Sequence, residues 1–321
     1  MAHLLTITLN PALDLTQSTG ELIPGAVNRA QTCELEPAGK GINLARVLVR
    51  LGHTVSVSGL LGADNATPFE QLFATTGLRD HFIRVPGQTR TNLKITERTG
   101  RVTELNGPAF IADPTSFDQL LAAVPDLTAS CDAVMVCGSL PGGVTPEQLA
   151  RLITLIRATG KPVWLDTSGP ALGAGLTARP DGVKPNLEEL VDWCGHELDS
   201  PQAVADAARE LQQGGVADVV VSMGPRGVFW LSQDQALRAD SPVVPVFSTV
   251  CAGDTLLAAL IHGRLTGQPD TDTLCFATAL AAESVRHVGV GDPAADDFET
   301  LRQQARVHPW PGRNNNGELP L

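Results

Sequence analysis

Short apolar runs that alternate with helical patterns constrain this chain more than any other feature. The runs are His3–Leu9, Val55–Leu60, Ala133–Cys137, Val163–Asp166, Gly182–Lys184 and Val219–Ser222, bounded by Gly, Ser, Asp or Asn. Helical patterns lie between them, notably Ile42–Leu51, Pro146–Thr159, Leu187–Cys194, Gln202–Gln213 and Ala252–Leu265. A strand that is apolar throughout must be covered on both faces, so the order predicts an α/β fold with a mostly parallel central sheet flanked by helices. Such sheets bind their ligands beyond the carboxyl ends of the strands.

Two segments, about 15–36 and 89–106, break this rhythm by alternating polar and apolar residues. Arg90-Thr-Asn-Leu-Lys-Ile-Thr-Glu97 and Arg101-Val-Thr-Glu-Leu105 flank Thr99-Gly100, which predicts a hairpin. Together they read as a small β-sheet inserted into one domain over residues 1–307, a lid and not a core. The Pro-, Gly- and Asn-rich tail from His308 to Leu321 is expected to be poorly ordered.

Composition excludes several function classes. Of 321 residues, 43% are hydrophobic and 18% charged, too apolar for a disordered chain. Lys and Arg number 23 against 35 Asp and Glu, a net charge of −12, which argues against a nucleic-acid partner because a phosphate backbone calls for a basic surface. No apolar run is long enough for a membrane span, and the N-terminus lacks the basic start of a signal peptide. The six cysteines are scattered without a CxxC pair and the seven histidines without HExxH, so a disulfide framework or zinc site is not expected and the cytoplasm is.

Four loops could carry chemistry. In Thr249-Val-Cys-Ala-Gly-Asp254 a small-residue turn opens an apolar helix, where free amides and the dipole favour phosphate charge. Asp254 there is either a base or a simple N-cap. Pro37-Ala-Gly-Lys-Gly-Ile-Asn43 is a second such opening, without Walker A spacing. Lys184-Pro-Asn-Leu-Glu-Glu189 follows a strand; Glu189 could close a capping box on Asn186 or help build a hard-cation site. Ser222-Met-Gly-Pro-Arg-Gly227 reads equally as a hairpin or a nucleotide loop.

Eight segments in this order resemble the ribokinase/PfkB carbohydrate kinase family, on the branch of the bacterial 1-phosphofructokinases and tagatose-6-phosphate kinases. They are Thr8–Asp14, Ala38–Asn43, Thr89–Lys94, Gly138–Gly142, Leu165–Gly169, Lys184–Asn186 with Glu189, Ser222–Gly224 and Ala252–Asp254. The resemblance implies ATP-dependent phosphorylation of a hexose phosphate, with fructose 1-phosphate to fructose 1,6-bisphosphate as the leading reaction and tagatose 6-phosphate or fructose 6-phosphate as alternative acceptors. It implies Asp254 as the base on the sugar hydroxyl and the amides of Cys251, Ala252, Gly253 and Asp254 as stabilisers of the phosphoryl group. Asp14, Gly39 and Asn43 would hold sugar hydroxyls, and Lys40 and Arg90, with Ser139, the substrate's own phosphate. Lys184, Asn186, Ser222, Gly224, Gly227 and Gly253 would line the ATP side, and Glu189 with Asp166 would serve Mg²⁺, although Asp166 could equally cap a turn. The lid would pair two copies into a homodimer.

Two positions depart from the family pattern: Ala38 stands for the first of its usual glycine pair, and Cys251 for the glycine before Ala-Gly-Asp. The Cβ at Cys251 would crowd a glycine-only backbone, and its thiol would be open to oxidants. A degenerate sugar-phosphate-binding protein is the reading Cys251 favours, and intact Asp254 and Glu189 oppose it. A dinucleotide oxidoreductase is excluded by the absence of GxGxxG; Gly138-Ser-Leu-Pro-Gly-Gly143 has the wrong spacing.

Overall fold

The computed structural model describes residues 1–310. Its strands are β1 (His3–Thr8), β2 (Ala12–Thr19), β3 (Thr32–Ala38), β4 (Thr54–Gly62), β5 (Arg79–Val85), β6 (Arg90–Glu97), β7 (Val102–Asn106), β8 (Ala133–Cys137), β9 (Val163–Asp166), β10 (Gly182–Val183), β11 (Asp218–Ser222), β12 (Val228–Leu231), β13 (Ala236–Asp240) and β14 (Arg306–Pro309). Its helices are α1 (Lys40–Arg50), α2 (Thr67–Thr76), α3 (Pro114–Ala129), α4 (Pro146–Ala158), α5 (Pro170–Thr177), α6 (Leu187–Cys194), α7 (Pro201–Gln213), α8 (Ala252–Thr266), α9 (Asp270–Ser284) and α10 (Phe298–Gln304). Ten strands form one sheet in the order β14-β13-β12-β11-β10-β9-β8-β1-β4-β5. It is parallel from β5 to β11 and turns antiparallel at β12, β13 and β14.

The period of two along each strand divides the core. Leu4, Val57, Met135 and Val220 pack with α1, α2, α8 and α9, whereas Leu5, Ile7, Val134, Val136, Val219 and Val221 pack with α3, α4 and α7. Both sides of the central strands are therefore buried, which is why they read as continuous apolar runs.

The second sheet has the order β3-β2-β6-β7 and is built from two excursions, one between β1 and α1 and one between β5 and α3. Strand β2 pairs antiparallel with β3 and parallel with β6. The expected hairpin joins β6 to β7, with Gly100 at φ 84° and its amide donating to the Glu97 carbonyl (2.8 Å). The pairing sets Asp14 opposite Asn92 and carries Arg90, Asn92 and Lys94 at alternate positions of one strand.

The tail differs from expectation at its start. His308 and Pro309 extend the large sheet as part of β14, and Trp310 meets Phe229 edge-on with ring centroids 5.1 Å apart. The rest of that expectation, residues 311–321, lies outside the described residues.

Candidate active site

A cleft of about 650 Å³ opens beyond the carboxyl ends of the parallel strands. Its lining includes Asp14, Gly39, Lys40, Asn43, Arg90 and Asn92, together with Lys184, Asn186, Ser222, Gly224 and Gly227. Cys251, Ala252, Gly253 and Asp254 line the same cleft. Four loops, each following a strand or opening a helix, supply most of these residues, and β2 and β6 supply Asp14, Arg90 and Asn92.

Asp254 sits in the first turn of α8 and is only 6% exposed. Its carboxylate does not cap the helix; Oδ2 instead accepts a hydrogen bond from Asn43 Nδ2 on α1 (2.9 Å). The simple capping reading is thereby corrected. Burial, reinforced by the nearby Asp166 charge, pushes its pKa up to about 6, against the pull of Lys40, the Asn43 bond and Lys184. The Thr255 amide closes the first helical bond onto the Cys251 carbonyl (2.8 Å), so the amides of Gly253 and Asp254 precede the ladder at the helix start.

Cys251 precedes α8 with φ 69° and ψ −7°, the left-handed region that favours glycine. Burial, and then Asp254, push its thiol far above the usual range. The reactive thiolate is therefore scarce, which removes the physical basis for the expected oxidant sensitivity.

Asp14 is fixed from β6: Asn92 Nδ2 donates to Oδ1 (3.0 Å) and Lys94 Nζ to Oδ2 (2.5 Å). Arg90 donates to the main-chain carbonyls of Pro11 (3.4 Å) and Asn10 (3.3 Å) and, among the described residues, has no carboxylate within ion-pair distance. Ser139 is not brought to the cleft wall; its Oγ accepts from Asn10 Nδ2 (3.0 Å).

Behind the cleft, Asp166 is 1% exposed and lies between two lysines. Lys40 Nζ donates to its Oδ1 at 2.7 Å, and Lys184 Nζ lies 3.2 Å from Oδ2, an ion pair short of good hydrogen-bond alignment. Burial opposes the carboxylate's charge, but Lys184 and Lys40 outweigh it and hold the pKa below the usual value. Burial likewise opposes the charge on Lys40, yet Asp166, Glu189 and Asp254 raise its pKa well above normal. Lys40, expected to hold the substrate's phosphate, is thus committed to Asp166 and to Glu189 (Oε1, 3.5 Å).

Glu189 closes the capping box at the start of α6. Asn186 Oδ1 accepts from the Glu189 amide and Glu189 Oε2 from the Asn186 amide, both at 2.8 Å. Among the described residues no cluster of three or more His, Cys, Asp or Glu could hold a metal by itself. The turn 222–227 joins β11 to antiparallel β12, as the hairpin reading expects, and also lines the cleft. Gly227, at φ 91°, packs so closely that a Cβ would stand 1.9 Å from the Ala239 carbonyl oxygen.

Sequence reasoning passed over Asn92 and Lys94. The signal was present, because residues 90, 92 and 94 share one face of any strand.

The pfkB family carbohydrate kinase model matches residues 7–297. The chain is 44% identical over 302 residues to the 1-phosphofructokinase of Vibrio cholerae, covering 94% of this chain and 95% of that protein. It is 42% identical over 305 residues to the 1-phosphofructokinase of Escherichia coli strain K12, covering 95% and 98%. The crystal structure of phosphofructokinase-2 from Escherichia coli in complex with substrates and products superposes with a TM-score of 0.86 at 28% identity, covering 94% of this chain and 98% of that one. Among the described residues no helix is long and apolar enough to cross a membrane. The chain belongs to the pfkB family of carbohydrate kinases and is an ATP-dependent sugar kinase.

Proposed function

We propose that the protein transfers the γ-phosphoryl group of ATP to fructose 1-phosphate, giving fructose 1,6-bisphosphate and ADP. The observation that carries this reading is Asp254, a buried carboxylate with its pKa raised toward neutrality, set at a helix start on the wall of a cleft lined by polar side chains and by glycines. The similarity to 1-phosphofructokinases supports the choice of acceptor.

In this mechanism Asp254 accepts the proton of the attacking hydroxyl as its oxygen bonds to the γ-phosphorus and the bond to ADP breaks. Asn43 keeps the carboxylate aimed, and the amides at the start of α8 meet the charge that develops on the phosphoryl oxygens. Asp14, immobilised by Asn92 and Lys94, and Gly39 with Asn43 hold the sugar hydroxyls. Arg90, which among the described residues has no carboxylate within ion-pair distance, takes the phosphate the sugar already carries. Asn186, Ser222, Gly224 and Gly227 line the nucleotide side.

Mg²⁺ bound with the nucleotide would neutralise phosphate charge. Glu189 would help hold it only by sharing Oε1 with Lys40, whose Nζ lies 3.5 Å away, because Oε2 closes the capping box. Asp166 fits poorly, as both of its oxygens face ammonium groups.

The test is an acceptor panel at saturating Mg-ATP with ADP release coupled to a readout. Fructose 1-phosphate is expected to give the highest kcat/KM. A higher value with tagatose 6-phosphate or fructose 6-phosphate would reassign the acceptor, and no turnover with any of them would leave a binding protein.

A further inference from the structure

We propose that Asp166 is a positioning residue that holds the Lys40 and Lys184 ammonium groups together at the point of phosphoryl transfer. This rests on the kinase reading of the cleft given above. It departs from the two roles expected from sequence, a metal-serving carboxylate at 166 and a substrate-phosphate lysine at 40.

The backbone fixes Asp166 at the end of β9: its carbonyl accepts from the Gly138 amide (2.8 Å), and the Lys184 amide donates to the Leu165 carbonyl (3.1 Å). The carboxylate is 1% exposed, and Lys184 is 3% exposed. Lys184 reaches past it to α8, where a Cβ added to Gly253 would stand 3.2 Å from Nζ. Its charge therefore lies against the amide-bearing turn that a transferred phosphoryl group must meet. Lys40 comes from the opposite side, from the start of α1, and its charge bears on Asp254. One carboxylate thus anchors two flexible side chains that would otherwise each lose considerable rotamer freedom on meeting a substrate. A lone buried lysine is costly, and a lone buried aspartate equally so, so Lys184 and Asp166 need one another; Lys40, 34% exposed, pairs with Asp166 and also with Glu189. A divalent cation binding directly to Asp166 would have to displace an ammonium group that already occupies its side of the carboxylate.

The fit of these groups predicts a distinct kinetic pattern. Losing the anchor should impair the transferred group far more than either bound substrate, because the two ammonium groups act where charge develops. Asp166→Asn, which keeps the shape and removes the charge, is expected to lower kcat by about 10²-fold. KM for the sugar phosphate and the midpoint of the free-Mg²⁺ dependence should stay within about threefold of wild type. A kcat above about a tenth of wild type would overturn the proposal, as would a Mg²⁺ midpoint moved upward about tenfold or more. Should that variant fail to fold by circular dichroism, Lys40→Met decides, since it leaves Asp166 paired with Lys184. A fall of about tenfold or more in kcat with the sugar-phosphate KM within about threefold supports the anchor, and any other split overturns it. Both variants are measured with whichever acceptor the wild-type enzyme uses best, so a wrong acceptor shows in the wild-type panel and a wrong anchor only in the variants.

Discussion

Cys251 holds an L side chain at φ 69°, a conformation that costs about 1–2 kcal/mol for a residue other than glycine. Cys251→Gly should relieve that strain, offset in part by about 0.5–1 kcal/mol of added backbone entropy in the unfolded chain. The expected outcome is an unchanged or slightly higher Tm with turnover at least equal to wild type. A marked loss of kcat at equal Tm would give the thiol a positive role. Asp254 carries the opposite tension, because its pKa rises from 3.8 to about 6 on folding. A carboxyl group raised in this way contributes stability that is present below its unfolded pKa and is lost as pH rises through about 6. Asp254→Asn should therefore raise stability at pH 8, by something on the order of 2 kcal/mol, and the gain should vanish near pH 4. Thermal melts at the two pH values check this. For the wild-type enzyme the same shift predicts a kcat/KM that falls tenfold per pH unit below about 6, as the base becomes protonated.

The element that governs the sugar side is β6: Arg90 and Asn92 line the cleft, and Asn92 and Lys94 hold Asp14. Arg90→Ala should raise KM for the sugar phosphate about tenfold, the effect of losing about 1.4 kcal/mol, while KM for ATP stays close to wild type. A loss falling on ATP would move the acceptor's phosphate to another part of the cleft. Strands such as β8 and β9 were legible in the sequence to the residue because burial on both faces leaves no polar interruption. Strand β5, Arg-Asp-His-Phe-Ile-Arg-Val, was not legible, because an edge strand keeps its charges. The antiparallel β12, β13 and β14 went unread for a related reason: turns at Gly227 and near Ser232 lead into β12 and β13, and β14 returns to β13 only after α8, α9 and α10, outside the strand–helix alternation that marked the rest. Helices α8 and α9 are apolar nearly all round because each is packed on several sides, so α9 offered no amphipathic stripe to find. The site loops were legible, yet the partners within them were not. Nothing in a one-dimensional pattern sets Lys40 against Asp166, which are 126 positions apart.

At the scale of the whole molecule, the small sheet leaves an apolar face uncovered: Leu35 is 50% exposed and Leu105 60%. Two copies joined through these faces would bury it, in keeping with the expected homodimer. Leu35→Glu with Leu105→Glu should shift sedimentation from dimer to monomer; a wild-type protein that sediments as a monomer would contradict this. The large sheet, by contrast, sets every candidate catalytic group at one edge, where α1 and α8 both begin. The proposed phosphoryl transfer at this end of the sheet depends on Asp254 as the base. Its most direct test is kcat for Asp254→Asn with Mg-ATP and fructose 1-phosphate both saturating, in protein shown by its melt to be folded. The account predicts a loss of roughly 10²–10⁴-fold, the usual contribution of a positioned base. A folded Asn variant that keeps more than about a tenth of wild-type kcat would contradict it.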